Sequence, residues 1–360
     1  MIPEVLISRE TLTHVGLSEA KATELWGEWS NWPTSGIRRE TDADDGGLEM
    51  TFIDFIISRV TAVNDITDES DLQWRACLNA CGIDVQLQDT IMDTHFKYLR
   101  LSESCLYWVK DTIKMRYAEL EAHIRGSSRQ PSVSGRQQNT PGTGSPESWA
   151  STSASAASRD IPPGHTVLFR ATNQAHIAGL FDEPSDFSGF HGRFYFTPDY
   201  QVAEYHAYWA KKRIGQLGTV AIVRLCIPNT ARESLSAPDI QKIFWPSPEW
   251  KELVWRSRTQ RQLPSRLEKY EEAVLVVGTT SRKPHSFYRA IKSWDEVTEK
   301  CVLRAGTSVQ GHPSVQYVFS GGKKGRDFLV KNGAQNIRVF PYSFIPKALS
   351  FMKRGRGFKL

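Results

Sequence analysis

Apolar residues recur at helical spacing in the first third of the chain: Phe52, Phe55, Ile56, Val60 and Val63, then Leu106, Val109, Ile113, Tyr117, Leu120 and Ile124. Positions three and four apart share one face of an α-helix, so both stretches predict amphipathic helices. Weaker patterns of the same period surround Leu72 to Cys81 and Leu87 to Leu99, while Asp42 to Gly47 reads as an exposed acidic loop. The expectation for residues 1–125 is an all-α module of four or five helices.

Beyond residue 160 the period shortens. Runs rich in Val, Ile, Phe and Tyr, separated by Gly, Pro and Asn turns, predict strands near Thr166 to Ala171, Arg193 to Thr197, Thr219 to Ile227, Glu252 to Arg256, Ala273 to Gly278, Gln316 to Phe319 and Ile337 to Pro341. Helices fit Tyr200 to Arg213, Phe287 to Glu299 and Lys323 to Asn332. Few long helical crossovers separate the strands, which favours an α+β domain over a doubly wound sheet. Between these regions, residues 126–160 are mostly Ser, Gly, Pro, Thr, Ala and Gln. Such a segment buries too little apolar area to offset chain entropy and reads as a disordered linker.

Charge changes sign at the same boundary. Residues 1–125 hold 12 Lys and Arg against 22 Asp and Glu, a net of −10, and the remainder carries +15. An acidic helical module therefore precedes a basic domain over 161–360. The module is a candidate protein-binding or autoinhibitory unit, because a tether of this length holds opposite charges near one another. No apolar run reaches the ~18 residues of a transmembrane helix, and Glu4, Arg9 and Glu10 interrupt any apolar signal segment. The five scattered cysteines, Cys77, Cys81, Cys105, Cys226 and Cys301, lack a C-x-x-C pair and read as reduced core thiols. The expected location is intracellular, cytoplasmic or nuclear, with no metal site.

Familiar phosphate-binding and hydrolase signatures are missing. No strand leads into G-x-G-x-x-G, Gly321 to Gly325 lacks Walker spacing, and neither H-E-x-x-H nor G-x-S-x-G occurs. What the basic domain carries is an ordered series: Phe169-Arg170-Ala171-Thr172, then Tyr195-Phe196-Thr197, then a helix with Tyr205, and later Trp250-Lys251-Glu252-Leu253-Val254-Trp255. This order resembles the ADP-ribosyltransferase-like superfamily, in which an Arg or His ends the first core strand, an aromatic or hydroxyl residue lies on the second and a Glu opens a later strand. The resemblance covers roughly Gly164 to Tyr342. It implies a split β-sheet that takes NAD as co-substrate, with Arg170, Ala171, Thr172, Tyr195, Thr197 and Tyr205 as cofactor-binding residues and Glu252 as the catalytic carboxylate. Ala171 stands where many members carry Gly, and Trp250 where Arg-modifying members carry a second acid.

Chemistry gives these residue types a reason. Cleavage of the nicotinamide glycosidic bond passes through an oxocarbenium-like ribose, which a nearby carboxylate stabilises. Arg170 offers the fork geometry that suits two phosphates, and a tyrosine ring stacks on nicotinamide. The implied reaction is ADP-ribose transfer to an acceptor, a protein being favoured over a nucleic acid, with release of nicotinamide. NAD hydrolysis and a non-catalytic interaction protein on a degenerate form of the same fold stay open. So does a structural origin for each residue, with Glu252 then a solvated carboxylate among Glu249, Lys251 and Arg256. The basic tail Lys353 to Lys359 reads as a solvated segment or a phosphate contact.

Overall fold

Most helices of the N-terminal region start on a side chain that satisfies an otherwise orphaned backbone N–H. In the computed structural model Ser8 caps α1 (Arg9–His14), Ser18 caps α2 (Glu19–Ser30), Thr51 caps α3 (Phe52–Val60), Ser70 caps α4 (Asp71–Ala80) and Asp84 caps α5 (Val85–Ile91). A short α6 (Lys97–Arg100) and the long α7 (Cys105–Ser127) follow. The structure describes residues 2–33, 37–42, 49–127, 161–173, 186–187, 193–304 and 311–342. The expected linker from residue 128 on, the acidic loop beyond Asp42 and the basic tail lie outside them.

Two expectations for this region need correction. It is not purely helical, because β1 (Arg38–Arg39) and β2 (Glu49–Met50) form a short parallel ladder. It also holds α1 and α2, whose apolar stripes are thin; their serine caps were the available sign. The chain separates into two units, Met1–Asn139 with Lys212–Thr219, and Thr140–Lys211 with Val220–Leu360. All five cysteines are buried and free. Among the described residues no helix is long and apolar enough to cross a membrane.

The second unit is mixed α+β. Its elements run β3 (His165–Asn173), β4 (Arg193–Phe196), α8 (Tyr200–Ile214), β5 (Val220–Pro228), α9 (Asn229–Glu233), β6 (Ile240–Ile243), α10 (Pro248–Arg258), α11 (Ser265–Glu272), β7 (Leu275–Thr279), α12 (His285–Ala290), β8 (Val315–Ser320), α13 (Lys323–Asn332) and β9 (Ile337–Tyr342). The last residues of α8, from Lys212, group with the first unit. One sheet has the order β3-β5-β9 and is antiparallel; the other has the order β4-β8-β7-β6, with only β6 and β7 parallel. Leu168, Leu225 and Ile227 from the first sheet meet Phe196, Leu275, Val277 and Phe319 from the second in one core, so the sheets pack face to face. The opposite face of the four-stranded sheet, through Val276 and Val318, lies under α10, α11 and α12, which bury Trp250, Leu253, Val254, Leu267, Tyr270 and Tyr288.

The strand expected over Glu252 to Arg256 is instead the interior of α10. Ser247 accepts a hydrogen bond from Trp250 N, Pro248 sits in the first turn with Glu249, and Arg256 and Arg258 close the last turn. Cap, proline and charge order all specify a helix, and they outweigh the strand preference of the Leu-Val-Trp run. The long helix expected over Phe287 to Glu299 is also shorter than its pattern: α12 ends at Ala290, and 3-10 turns follow at Trp294–Glu296 and Glu299–Cys301.

Candidate functional site

Arg170, Ala171 and Thr172 sit in the middle of β3, opposite Val223, Ile222 and Ala221 of β5. Because strand side chains alternate, Arg170 and Thr172 share a face with Leu168, and Ala171 points the other way with Phe169. The free edge of β3 meets the residue that follows β4. Phe169 N–H donates to Thr197 O at 2.7 Å, and Thr197 N–H returns the bond at 2.9 Å. This single antiparallel bridge runs Arg170–Thr172 back along β4, with Arg170 next to Phe196, and leaves the turn that starts α8 beside Leu168. In that turn Thr197 Oγ1 accepts from Asp199 N at 3.2 Å, and Asp199 Oδ1 accepts from Gln201 N at 2.8 Å.

Tyr195 and Tyr205 are not part of this edge. Tyr195, opposite Val318 on β8, packs against the core under α10, whereas Phe196 joins the core that holds Leu168. Tyr195 therefore points away from the sheet face that carries Arg170. Tyr205 is half-buried on α8, about 140° around the helix from Tyr200.

Glu252 is buried, not solvated. Its Oε1 accepts from Arg256 Nε at 2.8 Å, one turn along α10, and its Oε2 accepts from Arg266 Nη2 on α11. The neighbouring Trp250 is fully buried and donates Nε1–H to Thr279 O at 2.8 Å, a core role that accounts for its presence. A carboxylate already matched by two guanidinium groups ties α10 to α11 and has little field left for a developing cation. No Glu opens any later strand among the described residues; β6, β7, β8 and β9 begin with Ile240, Leu275, Val315 and Ile337.

Two polar arrangements escaped the sequence reading. Asp186 is buried and accepts from Arg258 Nε at 2.8 Å, Ser281 N at 2.7 Å, Gln316 Nε2 at 2.9 Å and the Ser281 hydroxyl. Burial pushes its pKa up, but Arg258, Ser281 and Gln316 outweigh that and hold it below the ordinary carboxylate value. Arg193, buried on β4, donates Nη2 to the Tyr270 and Glu271 carbonyls at 3.0 and 2.7 Å, closing the C-terminus of α11; burial lowers its pKa. Asp186 stands 72, 95 and 130 residues from its partners, so no local motif marks it.

The chain matches no family model, and comparison with curated proteins and with solved structures finds no similar protein.

Proposed function

We propose that residues 161–360 form an ADP-ribosyltransferase-like domain that binds NAD, with Arg170 engaging the diphosphate and Thr172, on the same strand face, beside it. The observation that carries this reading is the Phe169–Thr197 bridge, which lays the Arg-bearing stretch of β3 against β4, with Arg170 and Thr172 on one face of that strand. The division of the strands into two facing sheets supports the split-sheet reading that the motif order implies. The reaction proposed is ADP-ribose transfer with release of nicotinamide, water being the simplest alternative acceptor.

A specific observation favours a second reading, a binding module without turnover. Glu252 is held between Arg256 and Arg266 inside a helical pair, away from any strand opening. The two readings share NAD binding and differ in chemistry. NAD titrated into the full chain tests the first point, and nicotinamide release from the same samples tests the second. Binding with release supports the transferase or hydrolase; binding without release supports the module; absence of binding removes both.

A further inference from the structure

Helix α8 carries one carboxylate, Glu204, that is half-buried and has no hydrogen bond or ion pair among the described residues. Its neighbours are aromatic. Tyr200 and Tyr208 lie one turn before and one turn after it on the same helix face. The Tyr200 ring meets the Phe169 ring edge-on at 5.3 Å, which sets this stripe against the face of β3 opposite that of Arg170. The same sheet face carries the row Asn173, Val220 and Tyr342, aligned across β3, β5 and β9. Tyr342 thus projects from the sheet on the side that α8 covers. Its hydroxyl is pushed up by burial and then by Glu204, Tyr200 and Tyr208, which places the four groups within electrostatic reach of one another. Burial likewise raises the Glu204 carboxyl above its usual range and, with the Glu204 charge, brings the Tyr200 hydroxyl to about 12.

A half-buried carboxylate without a counter-ion is costly to fold around, whereas Asp186 and Glu252 are matched by guanidinium groups. Tyrosine rings offer negative faces but few acceptors, so the arrangement suits a cation that needs neither hydrogen bonds nor metal coordination. We propose that Tyr200, Glu204, Tyr208 and Tyr342 form a cup that binds a methylated ammonium cation, closed by the tyrosine rings and neutralised by the carboxylate. All four residues are half-buried. The site is independent of the NAD reading, because it uses the other face of β3.

The ligand chemistry has two sources, a small choline-like solute or a trimethylated lysine in a peptide. Calorimetric titration of the full chain with choline, with a short peptide containing one trimethyl-lysine, and with neutral 3,3-dimethylbutan-1-ol separates them. Saturable binding of at least one cation is expected, with the neutral isostere weaker by about tenfold or more, in line with the worth of a desolvated cation–π contact plus a charge. The tighter of the two cations identifies the source. Glu204→Gln should weaken the cation by about tenfold while leaving the unfolding midpoint equal or higher, since it removes an unpaired, half-buried charge. Tyr342→Leu keeps apolar bulk, removes a ring face and should weaken binding similarly; it carries the test if the first variant does not fold. No saturable cation binding, equal binding of the neutral isostere, or unchanged affinity in a folded Glu204→Gln or Tyr342→Leu protein overturns the proposal.

Discussion

Three carboxylates in the second unit illustrate how surroundings decide what a residue does. Asp186 and Glu252 are each compensated by guanidinium groups, and Glu204 is not. If Glu252 serves as a tie between α10 and α11, Glu252→Gln lowers the urea midpoint. The partner side chains of Arg256 and Arg266 are 27% and 54% exposed and can rehydrate. The expected loss is therefore about 1–2 kcal/mol, below the ~3–5 kcal/mol of a fully buried pair. A residue acting only in the transition state would leave that midpoint unchanged while cutting nicotinamide release. Asp186→Asn should cost more, about 3 kcal/mol, because Arg258 is buried with it. Its sign with pH follows from the depressed carboxyl. The stabilisation is fully present above the unfolded value near 4 and fades as pH falls through the lower folded value, so the gap between wild type and Asp186→Asn narrows as pH falls below about 4. Glu204 runs the other way. Its raised carboxyl makes the folded state pay a penalty that appears as pH rises above about 4.5, so Glu204→Gln stabilises at neutral pH and has little effect at pH 4.

At the scale of elements, α10 depends on its first turn. Ser247→Ala removes the side-chain acceptor for Trp250 N and should cost about 1 kcal/mol in a denaturant melt; an unchanged midpoint would show that Pro248 alone sets the helix start. The same turn explains where the sequence reading succeeded and failed. Strands β3, β5, β7, β8 and β9 are runs of Val, Ile, Leu and Phe bounded by turn residues, and their positions were legible from period and composition. Helix α10 was misread because Leu253, Val254 and Trp255 drew more weight than Ser247, Pro248 and Glu249. With the helix, Glu252 moves from a strand opening to a buried tie. The short β6 and α11 carry too few apolar positions to establish a period. Arg170 and Thr172 fall on β3 and Thr197 directly follows β4, strands whose positions were legible, but the bridge that joins them at Phe169 and Thr197 carried no local signal. The Asp186 cluster was not, since its partners come from α10, β8 and the loop after β7.

At the scale of the whole molecule, the first unit is built from two stretches of sequence. Lys212–Thr219 belongs to it, and there Arg213 donates to Asp111 Oδ2 at 2.6 Å and Thr112 Oγ1 at 2.9 Å, with its guanidinium over the Trp108 ring at 4.7 Å. Arg213 is nearly inaccessible, so Arg213→Ala should destabilise the helical unit by about 3 kcal/mol, seen as a lowered melting temperature of its transition. An unchanged transition would mean that residues 1–127 hold the helical fold alone. The acidic first third and the basic remainder are separate features of the sequence, and the excess positive charge of the latter is the electrostatic setting in which the proposed diphosphate site would act. The most direct measurement of that central claim is a calorimetric titration of NAD into the full-length protein and its Arg170→Lys variant. The account predicts saturable binding by the wild type and a loss of about tenfold or more in affinity when the planar guanidinium fork becomes a point charge; no binding, or equal affinity in the two proteins, would contradict it.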